Sequence, residues 1–193
     1  MRRLFESDHI APFLIAFGVL TIIASLFVPI VTLMYVQDAL FLNEAVWALV
    51  RPREAYLYFG GALIGLAVIC FGLSATIICI TNFYWFRFSV ILHSAGVFVI
   101  GILIALSVFH YQTITEDAFV ESPIFSLTAD TFPYSDITHA ETEEIFRADG
   151  PRTKYTFYTD SGSISIVNDR RNHALRTSLQ QVLESHTWPI TAK

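Results

Sequence analysis

The side chains that could carry reactive or metal-binding chemistry are few, and their spacing decides what they can do. His110, His139, His173 and His186 are scattered along the chain, with no i, i+4 pair and no cysteine beside them. Zinc-type sites need closely spaced ligands, so no metal is expected. His93 is followed directly by Ser94. Neighbouring helix residues diverge by about 100°, so these two cannot form a nucleophile–base pair. No Gly-rich phosphate loop, His-Glu-x-x-His or Cys-x-x-Cys motif occurs. Glu141, Glu143 and Glu144 cluster in a polar stretch that reads as a solvated face. The expectation is a protein that is not an enzyme, with no catalytic residues and no cofactor. His93 alone stands out, because an ionisable group inside an apolar run is a candidate intramembrane functional residue. It lies six residues past Arg87, so snorkelling or a hydrogen bond to a neighbouring helix also accounts for it.

The elements that must hold these residues follow from composition. Hydrophobic residues make up 54% of the 193 and charged ones 15%, against about 25% in ordinary soluble domains. Mean hydropathy is +0.54. Before His110 the chain holds five acidic and five basic side chains; from His110 onward it holds twelve and seven. Each half therefore needs its own solvent. Three uncharged runs lie between Asp8 and Asp38, Glu54 and Arg87, and Arg87 and Glu116. About 20 apolar residues cross a bilayer as a helix, which places spans near 13–35, 57–80 and 87–109 behind an N-terminal tail, 1–12. Glu6 and Asp8 and the length of the first run favour an anchor over a cleaved signal peptide. The two cysteines, Cys70 and Cys79, fall within one span and cannot pair there.

Small residues set the expected packing. Gly61, Gly65, Gly72, Ala75 and Cys79 fall on one stripe of the second span, interrupted by Val68, and Gly101 and Ala105 answer from the third. Close backbone approach drives helix association in lipid, so this stripe predicts a three-helix bundle or, alternatively, a homo-oligomer contact. Pro29 predicts a kink in the first span. Thr81-Asn82 and the aromatic run Phe83–Phe86 predict a turn at the headgroup layer. Within 38–50, Leu42, Val46, Leu49 and Val50 fit a helix lying on the membrane surface, capped by Asp38 and ended by Arg51-Pro52. There Trp47 is a candidate anchor for a partner subunit. Arg2, Arg3 and Arg87 outnumber Arg51 and Arg53, which places the N-terminus in the cytoplasm and the C-terminal domain outside.

Residues 111–193 read as a small soluble α+β domain. Tyr155 and Phe157 alternate with polar neighbours, Asp160-Ser161-Gly162 supplies a turn, and Ile164 and Ile166 alternate again, which predicts a β-hairpin. Ala148-Asp149-Gly150-Pro151 makes an earlier turn, and 118–120, 124–127 and 137–140 are further candidate strands. Asp169 would cap a helix whose Leu175, Leu179, Val182 and Leu183 share one face and cover the sheet.

The segments "TEDAFVES", "FPYSDITHAE" and "RRNHALRTSLQQVLE" together resemble the pleckstrin-homology-like modules fused to bacterial membrane spans. Tyr134-Ser135-Asp136-Ile137 is similar to that family's Tyr-x-Asp-Ile segment. The resemblance covers roughly residues 112–187. It implies a strand-rich module closed by a helix, with Ile137 facing the core and Asp136 shaping a turn, in a bacterial cytoplasmic membrane. The stretch is short for a complete member, so one or two strands would be missing or brief. Arg147, Arg152 and Lys154 are the only basic residues near one turn of a net acidic domain. That composition argues against specific phosphoinositide binding and against nucleic acid. The expected partners are the bilayer and either another protein or a second copy. Alternatives are an oligomeric transport or channel subunit and a membrane-bound ligand sensor.

Overall fold

In a computed structural model of the chain, residues 7–79, 83–126, 128–147, 150–168 and 172–192 are described; they form five α-helices and eight strands. Arg2, Arg3, Glu6, Thr81, Asn82, Ala148, Asp149 and Asp169 lie outside the described residues, as do the side chains of Asp8, His9 and Arg147. Contacts divide the chain into two units. The first comprises Met1–Val36 and Arg53–Val108, the second Gln37–Pro52 and Phe109–Lys193.

The first unit is helical. Helices α1 (Ser7–Ala24) and α2 (Val28–Phe41) precede α3 (Arg53–Cys79) and α4 (Phe83–Val108). By length and composition, α3 and α4 can each cross a membrane, and α1 with α2 forms a third candidate bent by 66°. The bend has a local cause. Pro29 lacks the N–H that would bond Ser25 and its ring would clash with that carbonyl. The helix stops at Ala24 and restarts at Val28, leaving Pro29 in a first turn where no N–H is required. Its kink is thus displaced three residues upstream.

Helix α3 packs against both α1 and α4. Toward α1 it offers Gly60, Phe71 and Ser74: a Cβ on Gly60 would meet the Ser25 carbonyl at 3.2 Å, Phe71 lies over Gly18, and the Ser74 hydroxyl donates to the Ala11 carbonyl at 3.1 Å. Toward α4 the pairs are Gly65–Ile100, Ile69–Gly96, Gly72–His93 and Thr76–Ser89. Steps of four, three and four residues along α3 are matched by equal steps back along α4. This is an antiparallel hairpin in one fixed register. The expected small-residue stripe is therefore only partly used. Gly65 and Gly72 face α4, whereas Gly61, Ala75, Cys79, Gly101 and Ala105 are exposed and nothing approaches the open side of Gly61 or Gly101 within 4 Å. The cause is that α3 has two neighbours, which it contacts along stripes about 160° apart at 3.6 residues per turn. The aromatics Tyr84, Trp85 and Phe88 belong to the first turns of α4 and point outward, not to a loop.

The second unit holds two four-stranded sheets. Strands β1 (Val46–Val50), β2 (Tyr111–Thr115), β3 (Ala118–Ser122) and β4 (Asp130–Pro133) form an antiparallel meander in that order. A 3₁₀ turn at Tyr134–Asp136 leads to β5 (Ile137–Arg147), β6 (Gly150–Thr159) and β7 (Gly162–Asn168). The second sheet runs β7-β6-β5-β8, with β8 (Ile190–Ala192) parallel to β5 and the other pairs antiparallel. Helix α5 (His173–Ser185) touches β1, β2 and β7. Its Leu175, Leu179 and Val182 are buried in a core that includes Ile114, Phe119, Phe157 and Ile164, with Leu183 packed against it. Phe119 is central, its ring 4.9 Å from Tyr134 and 4.6 Å from Phe157.

Three expectations change here. The surface helix over 38–50 is absent: α2 runs on to Phe41, and Val46–Val50 is a strand paired with β2. Valines and tryptophan suit a pleated, half-buried surface, and Val46, Leu49 and Val50 imitated a helical period because β1 is at least partly buried on both faces, whereas Leu42, before its start, is exposed. Residues 124–126 make a turn closed by Ser126 N–H to the Pro123 carbonyl, and the strand comes later, at Asp130. The N-cap of α5 is Asn172, whose side chain accepts from Leu175 N–H at 3.0 Å. The Asp160-Ser161 hairpin turn is as the sequence predicts, and Ile137 is buried in the core.

Candidate functional site

Within the first unit, the feature with potential chemistry surrounds His93. Its Nδ1 lies 2.6 Å from the carbonyl of Ser89, one turn back on α4. A carbonyl can only accept, so Nδ1 carries the proton and, in the neutral ring, Nε2 keeps its lone pair. Nε2 faces Gly72, where an added methyl would come within 2.7 Å of it. The Thr76 hydroxyl donates to the Gly72 carbonyl at 2.9 Å, so the Ser89 hydroxyl, 2.8 Å from Thr76 Oγ1, must donate across to it. The result is a polar stitch between α3 and α4 in which hydroxyls and imidazole satisfy one another. Ser94 is exposed and takes no part. Sequence reading singled out His93 but missed Ser89 and Thr76; the two i, i+4 pairs, Gly72/Thr76 and Ser89/His93, are the signal that could have found them.

A second constellation lies where β1 ends and β2 begins. The Gln37 amide donates to the His110 carbonyl at 3.0 Å, and His110 Nδ1 donates to the Ser122 carbonyl at 2.7 Å. Arg51 pairs with Asp38. Phe41 stacks on Tyr111 at 4.0 Å and meets Phe109 edge-on at 5.9 Å. The last turn of α2 is thereby joined to both flanks of the β1–β2 pair. Trp47, the candidate partner anchor, is half-buried and packs against the core of its own unit.

Three further histidines each lie against a local neighbour. His139 stacks on Tyr158 at 4.6 Å, His186 on Trp188 at 4.7 Å, and His173 lies 3.3 Å from the Thr177 hydroxyl. Among the described residues, no group of three His, Cys, Asp or Glu is placed to hold a metal. The Tyr158 hydroxyl donates to Glu141 at 2.9 Å, and that bond raises the phenol's pKa, with smaller contributions from burial and from the Glu141 charge. Burial, then the charge of Asp117, pushes Tyr134 far above the ordinary phenol range; its hydroxyl donates to the Thr115 carbonyl at 2.8 Å. Lys154 lies 3.8 Å from Glu143. That pairing reduces the free positive charge near the β5–β6 turn.

The β5–β6 ribbon outruns its neighbour: β7 ends opposite Thr153, and beyond that point β5 and β6 continue together to the Arg147–Gly150 pair. Phe146 near the end of this ribbon is 80% exposed. Compared with known proteins, the chain matches no family model, no curated protein and no solved structure.

Proposed function

We propose that the chain is a non-enzymatic integral membrane protein that presents a pleckstrin-homology-like α+β module to a protein partner. The observation that carries this reading is the order of elements in the second unit. A four-stranded meander, a three-stranded meander and a closing amphipathic helix follow one another, and β1 supplies the strand that the continuous stretch 112–187 lacks. The apolar α3–α4 hairpin then lies between two strands of one sheet. Strands pair only when they share a solvent, so the chain must cross the bilayer an even number of times between Val50 and Tyr111. Two helices of sufficient length and apolarity meet that requirement.

Phe146 is the docking residue in this reading. A large exposed aromatic beyond the third strand gains by being covered, and aromatic anchors dominate protein interfaces. A photo-crosslinking amino acid at position 146, activated in native membranes, is expected to yield one stoichiometric protein adduct. The same probe at exposed Ser163 should yield none. Adducts of equal yield at both positions, or lipid alone at 146, would remove the docking reading.

The polar stitch at His93 favours a second reading, a transport or channel subunit assembled from several copies. It predicts that His93→Ala changes flux in proteoliposomes while folding is kept; unaltered flux would eliminate it.

A further inference from the structure

We propose that β5 pairs edge to edge with β5 of a second copy of this chain. The inference rests on the docking reading at Phe146 and deepens it by naming the partner. All the residues concerned lie in the second unit. β5 runs from Ile137 to Arg147, yet β8 covers its outer edge only from Ala140 to Thr142. Among the described residues, no strand pairs with that edge beyond Thr142. The Ala140 N–H points outward and donates to the Pro189 carbonyl at 2.9 Å. Backbone groups alternate sides along a strand, so Thr142, Glu144 and Phe146 direct their N–H and C=O the same way. Glu144 and Phe146 therefore offer two donors and two acceptors at an open edge.

The opposite side of the sheet is less inviting. Pro151 of β6 stands across from Phe146, at the matching outward position, and has no N–H to give. On β7, the Gln112 side chain already donates to the Ser165 carbonyl at 3.2 Å. An open edge strand is a template for another chain, and the end of β5 carries no such block.

The sequence of this edge fits itself in one register. Residues that exchange both bonds in an antiparallel pair stand directly opposite each other. With Glu144 opposite Phe146 of the second copy, two such pairs form about a two-fold axis, and every outward group at these positions is bonded. Sliding one step in either direction spoils this. Glu144 would face Glu144 of the second copy, like charges that repel, or it would be carried past the end of β5. The fitting register sets Ile145 against Ile145 of the second copy and position 143, a glutamate, against position 147, an arginine. An apolar pair flanked by opposite charges is self-complementary, as a two-fold contact requires. Phe146, 80% exposed, gains cover from the second strand. A contact this short belongs to the weak, transient class of interfaces.

Disulfide trapping tests the register. The two Ile145 residues form a non-hydrogen-bonded pair, whose Cα atoms approach to about 4.5 Å, inside the range of about 4.4–6.8 Å that a disulfide spans. The experiment uses the full chain in detergent micelles, with Cys70→Ala and Cys79→Ala as background, copper phenanthroline as oxidant and a non-reducing gel as readout. Ile145→Cys is expected to form dimers at least about tenfold faster than Glu143→Cys, whose counterpart lies about 14 Å along the strand. Mixing differently tagged Glu143→Cys and Arg147→Cys chains should restore fast crosslinking and give mixed dimers. The mixture decides the matter should Ile145→Cys not fold. Equal rates for every variant would show collision alone and overturn the pairing, as would absence of dimers from the mixture. If the photo-crosslinker at 146 then still captures a different protein, the docking reading stands and only the second copy is excluded; lipid alone at 146 would remove both.

Discussion

Two antiparallel strand pairs in the second unit differ most in how their strands are joined. β6 and β7 are joined through Asp160-Ser161, whereas β1 and β2 are joined through residues 51–110, which contain both α3 and α4. A two-residue connection makes a pair nearly self-specifying, because the turn fixes the register. A connection this long would ordinarily cost loop-closure entropy and leave register to tertiary contacts. Here the α3–α4 hairpin brings its own ends together through helix packing, and the clash-limited fit of Gly72 on His93 and Gly96 on Ile69 holds that hairpin in place. One pair is closed by two residues of turn chemistry, the other by two packed helices that are long and apolar enough to cross a membrane.

The comparison breaks most readily at Ala48, which is 2% exposed in the core beneath α5. Ala48→Asp would bury an unpaired carboxylate and is expected to cost about 3–5 kcal/mol, enough to detach β1. Limited proteolysis should then cut within 42–52 and 111–122 while β6 and β7 resist longer. Proteolysis matching the original protein would show that β1 is not part of the core. A smaller effect is expected from Tyr134, whose hydroxyl closes onto the end of β2. Its folded pKa is raised, so its contribution is fully present below the unfolded phenol value of about 10 and is lost as pH climbs toward the folded value. The urea midpoint should fall above pH 10, and Tyr134→Phe should flatten that decline. Tyr158 and Tyr111, also raised, would leave a residual slope.

What could be read from sequence divides along the same line as the two pairs. The β6–β7 hairpin, the α5 face of Leu175, Leu179 and Val182, and the apolar runs of α3 and α4 are each coded within a dozen or two neighbouring residues. Local periodicity and turn chemistry expose them directly. β1 was misread because its evidence is non-local. Val-Trp-Ala-Leu-Val carries β-forming residues, but its pairing partner begins beyond two spans, and its two-sided burial mimics a helical stripe. The stripe of small residues is only partly used for a related reason: the glycines at 61, 65 and 72 declare a face but not which helix will meet it, and α3 has two neighbours. At the candidate site, His93 was legible as an ionisable residue in an apolar run. Its neutral partners Ser89 and Thr76 were not, since serine and threonine in apolar helices commonly bond their own backbone, as Thr21 and Ser107 do here.

Two further substitutions sharpen the contrast. Asn172→Ala removes the side-chain acceptor at the start of α5 and is expected to cost about 1 kcal/mol. Since α5 contacts β1, β2 and β7, the loss should lower the denaturation midpoint of the whole second unit. A loss confined to one strand pair would mean that α5 does not unite them. The smallest effect belongs to the membrane hairpin. Ser89→Ala removes the hydroxyl that donates to Thr76, and interhelical hydrogen bonds in lipid are worth about 0.6 kcal/mol on average. The His93 ring keeps its bond to the Ser89 carbonyl, which the substitution does not touch. Gly72→Ala, by contrast, drives a methyl toward Nε2 and must move the ring or part the helices. If packing rather than polarity holds the hairpin, Gly72→Ala should weaken exchange protection along α3 and α4 while Ser89→Ala leaves it nearly intact. The reverse order would show that the stitch, not the close approach of α3 and α4, holds the two helices together.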